Sequence, residues 1–202
     1  IGTVLYSSCN GGGGSDYSFN DINTSGGSLY VEPSSNSPIC EGATLSLSAN
    51  PMGAGAGDSG NTFSWSGSGT FNSTTAENPT VTGLTAGTYT FTVTITGTSS
   101  TTHSDSLTVE VFVLPTAQAG PSSEINCNNP TVSLDGTGTT VGGVTYLWTG
   151  GTIDSGSTTL SPVVSEAATY TLTVTNTTAG CTDTDTVTIT QDILDPTVSV
   201  SA

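Results

Sequence analysis

The second half of this chain repeats the first, and the repeated unit is a string of short alternating strands. Phe63-Ser-Trp65 returns as Tyr146-Leu-Trp148, and Gly87-Thr-Tyr89-Thr-Phe-Thr-Val-Thr returns as Ala168-Thr-Tyr170-Thr-Leu-Thr-Val-Thr. Cys40 stands before Thr44-Leu-Ser-Leu as Cys127 stands before Thr131-Val-Ser-Leu. Each copy closes on a stretch, 106–113 and 184–190, with apolar residues at alternate positions. One face of such a strand meets a core and the other meets water. Gly, Asn-Pro and Ser-Gly turns break the strands at short intervals, and no helical periodicity competes with them. Each copy is therefore predicted to be an all-β sandwich.

Composition narrows the functions open to such a chain. Its 202 residues include no Lys or Arg, 16 Asp and Glu, and one His, for a formal charge of −16. Nucleic acids and anionic membranes are held mainly by Lys and Arg, and phosphoryl transfer needs cationic clamps. All three are excluded as substrates or partners, along with Schiff-base catalysis. With only 8% charged residues, the surface is too sparse in carboxylates to read as a halophile's, and without Lys or Arg trypsin-like proteases find no bond to cut. No apolar run approaches the ~18 residues of a membrane span, so no membrane insertion is expected. Ile1 to Tyr6 lacks the basic region of a signal peptide; an exported protein of this sequence would already have shed its leader.

A Trp on the third strand and a Tyr opening the sixth are positions that join the two sheets of an immunoglobulin-like sandwich. On these residues the chain resembles the immunoglobulin-like and PKD-like tandem repeats of secreted Bacteroidota surface proteins, among them type IX secretion adhesins and filament-type repeat proteins. The second copy carries the closer likeness, in Ala119-Gly-Pro, Cys127-Asn-Asn-Pro-Thr-Val-Ser-Leu-Asp-Gly, Tyr146-Leu-Trp, Thr169-Tyr-Thr-Leu-Thr-Val-Thr-Asn and Gly180-Cys-Thr-Asp-Thr-Asp-Thr-Val. The first copy has Ser100 to His103 where the family has Gly-Cys, and neither copy has the Trp-Asp-Phe-Gly-Asp-Gly run of true PKD domains.

The resemblance spans 28–196 and implies an all-β chain: two tandem immunoglobulin-like sandwiches, 28–114 and 115–194, with strand-like N- and C-terminal extensions. Residues 1–27 read as an arm, with a possible donor strand at Ile1–Tyr6 followed by the flexible Gly11 to Gly14. Residues 195–202 match 114–120 and read as the first strand of a further sandwich or as a second donor strand. The implied role is a secreted, extracellular or cell-surface structural unit of a filament or adhesin, its partner another copy of itself, assembled by strand exchange and end-to-end stacking. A glycan or surface ligand is a further possible partner. The alternative is a carbohydrate-binding or spacer module of a secreted hydrolase, which needs an exposed aromatic platform; Tyr17, Phe19 and Tyr30 are the candidates.

No active site can be assembled, and no enzyme is expected. His103, Ser104 and Asp105 are consecutive, and neighbours on a strand point to opposite faces, so they form no triad. His103 is expected in a solvated hairpin, and the acids on turns and outward faces, without the paired carboxylates of a glycosidase cleft. No cofactor is implied, with Ca²⁺ the one ion worth testing. Asp183 and Asp185 share a face and, with Asp154 or Asp192, could offer hard oxygen ligands, although no Asp-x-Asp-x-Asp-Gly loop is present. Asp105-Ser106-Leu107 and Asp185-Thr186-Val187 match the short O-glycosylation motif of Bacteroidota, so the resemblance implies Ser106 and Thr186 as modification sites.

Four cysteines without a Cys-x-x-Cys pair, beside a lone histidine, fit an oxidising compartment better than a metal centre. Cys127 with Cys181 would close a loop of about 55 residues. In an immunoglobulin-like order, however, Cys127 precedes the second strand and Cys181 follows the sixth, which runs the same way. The two then lie over ~20 Å apart, where a disulfide needs Cα atoms within about 7 Å. Stacking offers Cys40 with Cys181 between the sandwiches and Cys9 with Cys127 between subunits, unless a changed strand order restores the intradomain pair.

Overall fold

The computed structural model describes residues 28–192. Both candidate donor strands, Cys9, Tyr17 and Phe19 lie outside the described residues. Those described form strands and turns, with no helix among them. In the first sandwich one sheet runs Ile39–Cys40, Thr102–Phe112, Gly87–Thr96, Thr62–Ser66; the other runs Ser34–Ser35, Leu45–Ser48, Thr80–Thr82, Thr70–Phe71. The second repeats the first sheet as Ser123–Ile125, Thr182–Gln191, Thr169–Asn176, Val144–Thr149, opposite a three-stranded sheet of Val132–Ser133, Val163–Val164 and Ile153–Ser155.

One long hairpin dominates each unit, Gly87–Thr96 with Thr102–Phe112 and Thr169–Asn176 with Thr182–Gln191, because these sequences alternate without a break. Phe91, Val93 and Ile95 on one central strand, and Tyr170, Leu172 and Val174 on its counterpart, are fully buried, while the intervening threonines face out. Val109 and Val111, then Val187 and Ile189, supply the same row from the last strands. Each sandwich thus has its own core. The N-terminal stretch of each unit changes sheets on its way in. In the first, Tyr30–Val31 pairs antiparallel with Pro51–Met52, and Ile39–Cys40 then lies parallel to Val111 and Phe112. In the second, Ser123–Ile125 lies parallel to the end of the last strand in the same way.

The tryptophans and tyrosines that mark the repeat are pinned at their polar ends, with Trp65, Trp148 and Tyr170 buried and Tyr89 half-buried. Trp65 Nε1 donates to Ala76 O at 3.0 Å and Trp148 Nε1 to Thr159 O at 2.9 Å. A glycine stands two residues after each tryptophan, at φ +156 for Gly67 and +136 for Gly150. A Cβ would overlap the Phe91 ring at the first and the Thr169 carbonyl at the second. Tyr89 donates to Thr85 O at 2.9 Å and Tyr170 to Glu166 O at 2.8 Å, four residues back in each case. This is the tyrosine corner of immunoglobulin-like sandwiches. Tyr170 also reaches Thr152 O at 3.1 Å.

Replacing Trp65 or Trp148 by Ala should cost about 3–5 kcal/mol each. The Phe variants, which keep an aromatic ring but lose the indole N–H bond to Ala76 O or Thr159 O, should cost less, about 1–3 kcal/mol for the lost bond and the smaller ring, as read from urea unfolding midpoints. A second expectation concerns pH. The Thr152 side chain and backbone N–H hold the Glu166 carboxyl below the usual carboxylate range, so its stabilisation is present at neutral pH and fades as pH falls through the lowered value. Burial first, then the charge of Glu166, raises the Tyr170 phenol. Stability should therefore also fall as pH rises past the ordinary tyrosine range, where unfolded chains ionise first. Unfolding midpoints of Glu166→Gln and Tyr170→Phe across pH should flatten the acid and alkaline limbs respectively.

Candidate functional site

Among the described residues no group of three or more His, Cys, Asp or Glu side chains could hold a metal ion. What the fold brings together is the junction of the two sandwiches. Cys40 ends the short parallel strand of the first, where Glu41 N donates to Phe112 O at 2.8 Å and fixes it against the last strand. Cys181 closes the hairpin between the two long strands of the second. Asn176 shapes that turn: its side-chain oxygen accepts from Thr178 N and Ala179 N at 2.9 Å, its N–H donates to Cys181 O at 2.8 Å, and Gly180 sits at φ +69. A disulfide joins Cys40 and Cys181 with Cα atoms 5.6 Å apart, and Cys181 is buried. The peptide link between the sandwiches runs through Val113 and Leu114, both exposed. Covalently tethered domains move relative to each other by default; a second tether at a separate point removes most rotation about the first.

The intradomain alternative for Cys181 is absent, since Cys40 takes its sulfur. Cys127 keeps an exposed free thiol at the opposite end of the second sandwich, beside a shallow hollow lined by Ile125, Pro130, Ser165, Gln191 and Asp192. Cys9 lies outside the described residues.

Three polar residues expected in solvent turn inward instead. Asp183 and Asp185 lie on the same face of the last strand as Val187 and Ile189, and that face meets the core. Asp183 Oδ2 accepts from Ala117 N and Asp185 Oδ2 from Ala119 N, both at 2.8 Å. These carboxylates replace strand partners for the segment that leads into the second sandwich. The two remaining calcium candidates are placed elsewhere: Asp154 accepts from Ser165 at 2.8 Å, and Asp192 N donates to Ile125 O. In the first sandwich His103 takes the equivalent place rather than a solvated hairpin position. It is half-buried, its Nδ1 accepts from Val31 N at 3.3 Å, and its ring meets the Tyr30 ring edge-on at 6.1 Å between centroids. The sequence carried the signal for all three, because residues two apart on a strand share a face.

Ser106 and Thr186 are exposed in mid-strand, and in each the N–H is held by the preceding aspartate, Asp105 at 2.7 Å and Asp185 at 2.8 Å. Tyr30 packs on His103, and the exposed large apolar side chains, Met52, Val113, Leu114, Val141 and Leu147, include no aromatic among the described residues.

Residues 43–111 match the family model of the K319L-like PKD domain. That span is the body of the first sandwich. No curated protein matches the chain in sequence. Among solved structures, the chain is similar to the three N-terminal domains of the Highly Immunogenic Outer Capsid protein of bacteriophage RB49, with 15% identity, 81% of this chain and 58% of that one covered, and a TM-score of 0.39. The insect immune protein hemolin gives 10% identity, 76% and 44% coverage, and 0.40. The fibronectin(III)-like modules of Clostridium thermocellum CbhA give 16%, 84% and 100%, and 0.36. The chain spans 58% and 44% of the length of the first two. A PKD-like domain within a tandem of immunoglobulin-like sandwiches, stapled by a disulfide, is the character of an extracellular module.

Cys40→Ser should remove about 5 kcal/mol of chain-entropy stabilisation for a closed segment of 141 residues, lowering the unfolding midpoint. Asp183→Ala should cost about 1–3 kcal/mol by orphaning the Ala117 amide, with faster hydrogen exchange at Ala117.

Proposed function

We propose that this chain is a non-catalytic structural unit of an extracellular filament or cell-surface adhesin, with copies of itself as its partner. The single observation that carries this reading is the Cys40–Cys181 disulfide: two small sandwiches tethered twice make a strut that transmits force along its axis instead of folding at its linker. The absence of Lys and Arg from all 202 residues supports it from another side, since such a chain resists trypsin-like proteases and offers no cationic site for anionic substrates. Assembly is end to end, with strand exchange through the N- and C-terminal extensions, and the location is secreted or cell-surface.

Negative-stain microscopy of the purified protein should show fibres of uniform width, and deletion of 1–6 or of 197–202 should abolish them. Isolated short rods would favour the spacer-module reading, and normal fibres from both truncations would sink strand exchange. Because each copy carries −16, fibres should also loosen on chelation at low salt and tighten in mild acid.

A further inference from the structure

The two copies of the repeat end differently, and the difference assigns a role to Cys127. Cys40 and Cys127 are equivalent by sequence, each standing four residues before the Thr of Thr-x-Ser-Leu. Both lie at the same end of their sandwich, though not at the same register: Cys40 ends a short strand that runs parallel to the end of the last strand, and Cys127 stands two residues beyond the corresponding strand, Ser123–Ile125, whose end is held by Asp192 N donating to Ile125 O at 2.9 Å. In the first copy this end of the sandwich receives the hairpin of the next unit, and Cys40 is bonded to Cys181 at that hairpin's tip. In the second copy the same end carries an exposed thiol.

From this internal comparison we propose that the Cys127 end of the second sandwich is a docking end for another sandwich of the same kind, which presents a cysteine at the hairpin position that Cys181 occupies here. The inference rests on the stacked-unit reading above and departs from it at this one end, where it names a related cysteine-bearing sandwich in place of the first sandwich of a second copy. The first sandwich of a second copy does not supply that cysteine. Its hairpin is closed by the corresponding backbone bond, Gly97 N donating to Thr101 O at 2.8 Å, with Ser100 at φ +63 in the place of Gly180, but its turn is one residue shorter and Thr101 stands where the second has Cys181. The partner is therefore a cysteine-bearing sandwich placed in line after the second one. The bond forms by thiol–disulfide exchange: the Cys127 thiolate attacks a mixed disulfide on the partner cysteine. The two thiols together lose two protons and two electrons to an oxidised dithiol or glutathione disulfide, which leaves as two thiols.

The test gives the existing chain the missing cysteine. Thr101→Cys in the full chain, held in a glutathione redox buffer, should form a ladder of reductant-sensitive multimers, with a 101–127 linked peptide found by mass spectrometry after digestion at acidic residues. The double variant Thr101→Cys with Cys127→Ser should lose the ladder. A Cys40–Cys181 peptide retained in the same digest reports that the fold survived. If the variant fails to keep that peptide, the partner of Cys127 is mapped instead on protein isolated from its source with free thiols alkylated, where a cysteine of a sandwich hairpin is expected. Multimers no more abundant than in the unaltered chain, or joined 127–127 or 101–101, overturn the proposal. So does Cys127 found alkylated at source. Cys127 joined to Cys9 overturns this partner while leaving the filament reading standing. Linked multimers that never form fibres do the reverse.

Discussion

Everything in this molecule hangs on the burial of one alternating row per sandwich. Phe91, Val93 and Ile95, with Val109 and Val111, form the first row; Tyr170, Leu172 and Val174, with Val187 and Ile189, form the second. At roughly 1.5–3 kcal/mol for each large apolar side chain removed from water, these rows are the spine of each core, on which the residues of the facing sheet close. A core this small carries little surplus over the entropy of ordering its chain. That is why the polar ends of the framework residues matter. The indole N–H groups, the tyrosine corners and the disulfide each hold a segment that the core alone is too small to hold.

The lack of any fixed cation imposes a second rule. Carboxylates in folded proteins usually find Lys or Arg, and here none exists, so the structured ones find amides and hydroxyls. Asp183 and Asp185 hold Ala117 and Ala119, Asp135 accepts from Thr137 N at 3.0 Å, and Glu166 accepts from both the N–H and the hydroxyl of Thr152 at 2.7 Å. The pairing with Thr137 and with Thr152 pulls Asp135 and Glu166 below the usual carboxylate range. Bonds from N–H to an ionised oxygen are stronger than neutral ones, so an all-acidic chain still gains structure from its charges. It does so without the long side chains that ion pairs require.

Much of this was written plainly in the sequence, and the reason is period two. The repeat, the all-β class and the long hairpins follow from Thr-x-Thr alternation, which has no helical reading. Alternation also placed Asp183 and Asp185 on the face of Val187 and Ile189, yet an acid on an apolar face reads as an exception until its partner is known. That partner is a backbone amide 66 residues away in sequence, and no local pattern marks which amide a fold leaves without a strand neighbour. His103 was obscured for the same reason, since Val31 lies 72 residues from it. The short parallel strands at Cys40 and Ser123 are two and three residues long, below the length at which alternation becomes visible.

The two units differ most in how they hold the segment that leads into them, and this bears on where the disulfide sits. The second sandwich grips its segment with two short carboxylate bonds, at Ala117 and Ala119. The first has one longer side-chain bond of this kind, from Val31 N to His103 Nδ1 at 3.3 Å, and holds the same segment by antiparallel pairing of Tyr30–Val31 with Pro51–Met52 and by Glu32 N donating to Asn50 O. Asp105 is available in the first sandwich as Asp185 is in the second, but Pro33 stands two residues after Val31, where Ala119 stands after Ala117, and proline has no N–H to give. The leading segment of the first sandwich is thus held to the last strand by fewer side-chain bonds and relies on backbone pairing with Pro51–Met52 instead. Cys40 lies further along that same stretch, at the end of the strand it goes on to form. A disulfide there ties down the far end of that stretch and joins the domains with the same bond. Its loss should loosen the first sandwich more than the second, because Cys40 sits on a strand of two residues whereas the Cys181 turn is closed independently by the backbone and side chain of Asn176.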